Sequence, residues 1–270
     1  MSRNQTGLAK YRRGRKMFDY TPYSPIITNN LLIHFDANDI TSYSGYKYAH
    51  PKWVNIGTGG AMYDADLSGS VLPVIDEGWK IKSFRFFCYA LNASTDFDKR
   101  NYMQFLRPSA MYDDFTYCAW INTFSGVSDV LVDSTVMYII SSKTSSANRY
   151  FGIGIDNNNK LLYLDSSPSG NAISLHSIQS VNNGKWTFVA VTRNKITGKV
   201  VLYINGIADT TGTCNTGTLN ATDYMLMGST TFSPSYTFAG HIGAILGYAS
   251  ILSADDILRN FETLRRTYQI

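Results

Sequence analysis

Apolar and polar positions along the chain fall mainly into short runs separated by turn signals, the pattern of strands joined by tight connections. The clearest runs are 84–90, 115–121, 136–142, 150–155, 161–165, 186–192, 199–205, 224–228 and 238–248, preceded by Leu31-Leu-Ile-His-Phe-Asp36. In 199–205, Val200, Leu202 and Ile204 share one face while Val201 and Tyr203 share the other. Apolar residues on both faces predict a strand held between two layers. Asn183-Gly184 and Asn205-Gly206 are hairpin dipeptides, because a type I′ turn needs positive φ at both central residues. Asp156-Asn-Asn-Asn159 reads as a further hairpin turn.

The pattern changes to a helical period only at the end. Ser253-Ala-Asp-Asp256 is a helix start in which an N-cap serine is followed by an acid three residues on. Ile257, Leu258, Phe261, Leu264 and Tyr268 then form one apolar stripe, and Arg265 and Arg266 fall in the last turns. The expected helix covers 253–268, with its stripe packed on the strands.

Composition agrees with a β architecture. Charged residues make up 16% of the 270, with 19 Tyr, 14 Phe and only two glutamates, Glu77 and Glu262, which disfavours coiled coils and long-helix bundles. Many antiparallel strands in a chain of this size imply an all-β, two-sheet sandwich. Charge is uneven. Residues 1–16 hold six of the 24 basic groups and no acid, so the remainder carries 18 basic against 20 acidic groups. The net +4 therefore describes an arm, not the body. Residues 1–30, with Gly7, Gly14, Pro22 and Pro25 and no amphipathic period, read as an extended basic anchoring arm, and 31–270 as one domain including the helix. In the arm, Arg3, Lys10, Arg12, Arg13, Arg15 and Lys16 are interleaved with Tyr11, Phe18 and Tyr20, charge beside aromatic anchors, which suits docking on an acidic protein surface. Six charges without a basic stripe on the body disfavour nucleic acid.

Catalytic and metal signatures are sparse. Glycosidases commonly pair carboxylates across the sugar bond. The two glutamates stand 185 positions apart, and the pairs Asp64/Asp66, Asp96/Asp98 and Asp113/Asp114 lie in or near turns, where Asp bonds its own backbone. No Gly-x-Ser-x-Gly, His-Glu-x-x-His or phosphate loop occurs, so the chain reads as non-enzymatic. Cys88, Cys118 and Cys214 lack a Cys-x-x-Cys pair and read as buried thiols. His34, His50, His176 and His241 show no ligand spacing and read as structural or surface histidines. No secretory signal and no membrane-spanning run are evident.

Several of these runs resemble a family. Phe115-Thr-Tyr-Cys-Ala-Trp-Ile121, Tyr138-Ile-Ile-Ser-Ser-Lys143 with Tyr150-Phe-Gly-Ile-Gly-Ile-Asp156, and Gly184-Lys-Trp-Thr-Phe-Val-Ala-Val-Thr192 are similar to successive strands of laminin-G-like, concanavalin A-like jelly rolls. Val201-Leu-Tyr-Ile-Asn-Gly206 and the pair Phe238-Ala-Gly-His-Ile-Gly-Ala244 and Ile251-Leu-Ser-Ala-Asp-Asp-Ile257 continue the resemblance in order over 115–257. It implies a jelly-roll sandwich in which Trp120 and Trp186 are core residues. It also implies a sugar or Ca²⁺ site on edge loops, although calcium's six to eight oxygens are not offered by any Asp-x-Asp-x-Asp-Gly loop.

The ends resemble such domains in phage and large-DNA-virus structural proteins, through Leu32-Ile-His-Phe-Asp-Ala-Asn38, Tyr43-Ser-Gly45 and Trp53, and through Asn260-Phe-Glu-Thr-Leu-Arg-Arg-Thr-Tyr-Gln-Ile270. The resulting expectation is a virion structural protein, a minor capsid or decoration component assembled in the host cytoplasm. Its arm would bind other capsid or virion proteins, with a homo-oligomer left open. The alternative is a carbohydrate-binding module that attaches to surface glycans, with no residue singled out for the sugar.

Overall fold

In the computed structural model, the residues described are 25–43, 52–68, 74–75, 81–86, 102–123, 136–142, 149–220, 222–230 and 237–270. They form two antiparallel sheets of eight strands each, with one helix. Along the first sheet lie β14 (Ile207–Thr213), β13 (Lys199–Ile204), β12 (Trp186–Arg193), β7 (Phe115–Thr123) and β16 (Gly240–Tyr248). The far edge of β16 is shared. Its C-terminal half pairs with β1 (Leu31–Asp36), and its N-terminal half with β5 (Phe84–Phe86), which pairs in turn with β4 (Val74–Ile75). The second sheet runs β11 (Ala172–Ser180), β10 (Lys160–Ser166), β9 (Phe151–Asp156), β8 (Val136–Ser141), β15 (Tyr224–Met227), β6 (Tyr102–Leu106), β3 (Ala65–Ser68) and β2 (Lys52–Trp53).

The period of two decides what lies where. On β7, Phe115, Tyr117, Ala119 and Ile121 enter the core between the sheets, while Cys118 and Trp120 point the other way. All nine β7 residues are buried because that second face is covered by helix α1 (Ala254–Leu264) and the turns after it. The same division holds on β13, where Val200, Leu202 and Ile204 join the inter-sheet core and Tyr203 the helix layer, as its two-faced pattern predicts. Trp120 stacks on Tyr268, with centroids 4.2 Å apart and planes at 10°, and Trp186 lies 4.7 Å from the same ring. Both tryptophans are therefore core residues, of the helix layer.

Helix α1 starts with the expected capping box. Ser253 Oγ accepts from Asp256 N at 3.2 Å, and Asp256 Oδ2 accepts from Ser253 N at 3.2 Å. It ends at Leu264, and residues 265–269 continue as hydrogen-bonded turns that carry Tyr268 under Trp120. The buried Asn260 fixes residues 25–27 on this layer: Ile27 N donates to its Oδ1 at 2.8 Å, and its Nδ2 donates to Tyr248 Oη, which itself donates to the Ile27 carbonyl.

Two connections separate true hairpins from corners. Asn205 (φ 49°) and Gly206 (φ 80°) close the β13–β14 hairpin as a type I′ turn, as expected. Asn183-Gly184 does not make a hairpin. It joins β11 of the second sheet to β12 of the first, so Gly184 (φ 69°) turns a corner between layers. The dipeptide signal reports positive φ, and positive φ serves either kind of turn.

A buried strut ties the sheets together at one end. The Arg193 side chain, 0% exposed, stands 3.4 Å from Asp165 Oδ2 and donates to the carbonyls of Asp113, Asn215 and Gly217 at 2.7–2.9 Å. Asp165 also accepts from Tyr163 Oη and from Asn215 N and Nδ2. Arg107 and Arg149 donate to the carbonyls of Leu219 and Thr218. Three guanidinium groups thus hold 215–219, within the crossover from β14 to β15, by its main-chain oxygens.

On β1, burial pushes two neighbouring titratable groups in opposite senses. It lowers the His34 imidazole from 6.5 to about 4, and raises the Asp36 carboxyl from 3.8 to about 6. His34 stays neutral in the folded chain while the unfolded chain takes up a proton below 6.5, so its contribution to stability falls as pH drops from 6.5 to 4. Asp36 holds a proton that the unfolded chain releases above 3.8, so its contribution falls as pH rises from 3.8 to 6. The two slopes oppose each other at no more than about 1.4 kcal/mol per pH unit. Asp36→Asn, whose amide oxygen can still accept from Asn38, should leave stability rising with pH between 4 and 6, and His34→Gln should leave it falling. Urea midpoints at pH 4, 5 and 6 measure both; slopes of the same sign in the two variants contradict this account.

Candidate functional site

The outer face of the second sheet carries a cleft of about 290 Å³. Its floor comes from the alternation of β10, whose Leu161 and Tyr163 enter the inter-sheet core while Leu162 and Leu164 point outward. Opposite them on β11 stand His176 and Ser174, in register with Leu162 and Leu164. On β9 the outward positions are Gly152 and Gly154. A Cβ at Gly152 would lie 2.3 Å from Tyr138 Cε1, and one at Gly154 2.7 Å from Val136 Cγ1. Bare backbone at these two positions lets the β8 side chains lie across β9 and makes one wall of a small apolar cluster, Val136, Tyr138, Leu162 and Leu164.

The rim is polar. The turn after β9 brings Asp156, Asn157 and Asn158 to the cleft, and β11 brings Ser174 and His176. Asp156 Oδ1 accepts from the main-chain N–H of Asn158 and Lys160 at 2.8 and 2.9 Å, and Asn159 takes φ 64°. The Asp156–Asn159 segment is thus the hairpin turn its sequence predicts, with the Asp156 oxygens turned to its own backbone and to His176. That second contact, His176 Nδ1 to Asp156 Oδ2, is 2.6 Å, with Asp156 buried and His176 about half exposed. Beyond it, Ser174 Oγ lies 3.1 Å from His176 Nε2. Because a carboxylate can only accept, the Asp156 contact puts the imidazole proton on Nδ1 and leaves Nε2 as the acceptor for the Ser174 hydroxyl.

Of the residues singled out in the sequence, Asp156, Asn157, Asn158 and His176 line the cleft. Arg3, Lys10, Tyr11, Arg12, Arg13, Arg15, Lys16, Phe18 and Tyr20 fall outside the described residues, as do His50, Trp79, Cys88, Asp96 and Asp98. Trp53, Trp120 and Trp186 are buried, so none offers a ring to a sugar. Asp64 accepts from Asn55 N and Asp113 and Asp114 hold Lys195, so these carboxylates fix loops, whereas Asp66 lies on β3 and not in a turn, paired with Lys52 of β2 at 3.3 Å. Cys118 and Cys214 are buried free thiols, and burial pushes the Cys214 thiol up to about 12. His241 Nδ1 is hydrogen-bonded to Ser83 Oγ in the interior. No group of three or more potential metal ligands occurs among the described residues, and no helix among them is long and apolar enough to cross a membrane.

The sequence alone marks His176 only as a structural or surface histidine. Its neighbours become visible once Ala172–Ser180 is known to be a strand, because Ser174-Leu-His176 then places serine and histidine on one face. That strand is hard to find from pattern, since it is an edge strand with most residues exposed and its register against β10 shifts between Lys160 and Leu162.

Comparison with known proteins agrees with the architecture. The binding domain of botulinum neurotoxin DC in complex with SialylT superposes with a TM-score of 0.61 at 16% identity, over 88% of this chain and 52% of that one. The binding domain of Paraclostridial Mosquitocidal Protein 1 gives 0.61 at 14%, over 86% and 52%. Botulinum neurotoxin type C, whose cell entry is described as dependent upon interaction with two ganglioside molecules, gives 0.58 at 18%, over 87% and 51%. The chain spans about half the length of these structures, and identities this low speak for the fold alone. None of the three is a virion protein. No curated protein sequence matches the chain. The family model of concanavalin A-like lectins and glucanases matches residues 97–258, well over half the chain and most of both sheets. By that match, and by its two antiparallel sheets with a C-terminal helix, the chain belongs to the concanavalin A-like lectin/glucanase superfamily.

Proposed function

We propose that the chain is a carbohydrate-binding module that seats one or two sugar rings in the cleft over β8–β11 and so attaches to a glycan-bearing surface. The observation that carries this reading is the cleft's two-part lining. Ala172 and Ile173, over the buried floor of Leu162 and Leu164, offer apolar surface to the C–H face of a ring, while the amides of Asn157 and Asn158 and the Ser174 hydroxyl offer donors and acceptors to its hydroxyls. A volume of about 290 Å³ lies at the lower end for small-molecule sites, which suits a short saccharide and not a long glucan laid along the sheet. Larger toxin domains of the same fold, described with SialylT or with gangliosides, support the sugar reading by analogy of fold.

The virion reading, with residues 1–30 as an anchor on capsid proteins, draws on the basic arm and on resemblances at the chain ends. The family and the fold neighbours favour the sugar instead.

A glycan array with neutral and sialylated structures, followed by calorimetry on the hits, tests the proposal. The double variant Asn157→Ala/Asn158→Ala removes two rim amides without touching the cleft floor. It should weaken binding by about 10- to 100-fold, one to two hydrogen bonds in each ring contact. An array without hits, or an affinity unchanged in the double variant, overturns the assignment.

A further inference from the structure

We propose that Ser174, His176 and Asp156 form an acyl-transfer relay, and that the cleft removes a small O-acyl group, of acetyl size, from a sugar held there. The proposal deepens the carbohydrate reading and rests on it.

The geometry has the three parts that such a relay requires. A hydroxyl, Ser174 Oγ, lies 3.1 Å from an imidazole nitrogen, and the opposite nitrogen of that ring lies 2.6 Å from a carboxylate. The carboxylate is itself fixed, since Asp156 is buried and its other oxygen accepts two main-chain N–H groups. This bond pattern keeps the imidazole in the tautomer whose free nitrogen faces the serine. The β-strand alternation puts Ser174 and His176 on one face, and both line the cleft with Asn157 and Asn158. The side-chain amides of these two asparagines supply N–H donors at the same rim, the kind of group that stabilises a developing oxyanion.

The chemistry balances without any further reagent than water. Ser174 Oγ attacks the ester carbonyl carbon as its proton passes to His176 Nε2. The tetrahedral oxyanion collapses, the bond to the sugar oxygen breaks, and that oxygen leaves with the proton from His176. Water then gives a proton to His176 and attacks the acyl-serine, and collapse releases the acid and returns the proton to Ser174. Ser174 and His176 are the catalytic residues and Asp156 a positioning residue.

The test uses the full chain with 4-nitrophenyl acetate and with mono-O-acetylated sugars, and labels it with a fluorophosphonate probe. The expected results are a burst of nitrophenolate stoichiometric with protein and a probe adduct on Ser174 in the peptide mass spectrum. Turnover should fall by about 100-fold or more in Ser174→Ala and in His176→Ala. Asp156→Asn should lower kcat with little change in KM and alter the pH profile of kcat/KM, since the amide can hold the wrong tautomer. A rate that persists in Ser174→Ala belongs to an exposed imidazole acting alone and overturns the relay, as does a wild-type chain with neither burst nor adduct, a result that needs no variant to fold. Binding of unacylated sugars by the wild-type chain is read separately. Sugar binding without turnover removes the relay alone, and turnover of the nitrophenyl ester without sugar binding removes the sugar as its substrate.

Discussion

Arg193→Met should cost the fold about 3–5 kcal/mol, the range for breaking a buried ion pair from one side. The guanidinium is wholly buried and is shared among Asp165 and the carbonyls of Asp113, Asn215 and Gly217. A methionine fills much of the same volume but leaves three main-chain oxygens without that donor and removes the cation beside Asp165. The Asp165 carboxylate keeps Tyr163 and Asn215 as donors, which softens the loss without cancelling its charge. The pair also joins β12 in one sheet to β10 in the other, so the damage reaches both layers. Arg193→Lys should recover little of it, because an ammonium group cannot reproduce a planar fork reaching carbonyls on two segments. The double variant Arg193→Met/Asp165→Leu removes both charges and should be more stable than Arg193→Met alone. Denaturant midpoints for the wild type, Arg193→Met, Asp165→Leu and the double variant complete the cycle. A loss below about 1 kcal/mol for Arg193→Met would show that the strut is marginal.

How far the sequence foretells the molecule depends on what each residue is near. Strands buried on both faces announce themselves, as in Val200 to Ile204, because the apolar period survives on either side. The hairpin at Asn205-Gly206 and the cap at Ser253 are equally readable, since a local backbone requirement selects the residue. Edge strands are not. β14 and β11 are rich in Thr, Ser and Ala and mostly exposed, so no apolar period marks them, and their identity comes from pairing with the strand that precedes each in the chain. The candidate site inherits that difficulty. His176 and Asp156 are 20 residues apart and meet only because β11 folds back on β10 and lies beyond the turn that Asp156 opens. The two glycines of Phe151-Gly-Ile-Gly-Ile155 stand in the sequence in plain view, but only the crossing of Tyr138 over Gly152 and of Val136 over Gly154 shows that they shape one wall of a cleft.

Trp120→Ala should cost about 3–5 kcal/mol, the cost of emptying a large aromatic site in a packed layer. Its ring is 1% exposed and sits under Tyr268 at 4.2 Å, with Phe261 at 5.8 Å and Phe188 at 5.4 Å. These contacts hold the turns after helix α1 to the first sheet, so the loss should be uneven. Amide exchange should quicken in 257–268 well before it quickens in β12 or β13, whose opposite faces remain in the inter-sheet core. The helix start should be least affected, since Ser253 and Asp256 close their capping box locally. Trp120→Phe separates packing from polarity. The Trp120 indole N–H is buried without a hydrogen-bond partner among the described residues, so losing it removes a penalty while the smaller ring keeps part of the stack. The phenylalanine variant should therefore lose less than half of what the alanine variant loses. Equal losses in the two would mean that the outer six-membered part of the indole, which a phenylalanine ring does not reach, carries the contact. Exchange that quickens uniformly in Trp120→Ala would mean that the helix layer and the sandwich unfold as one unit.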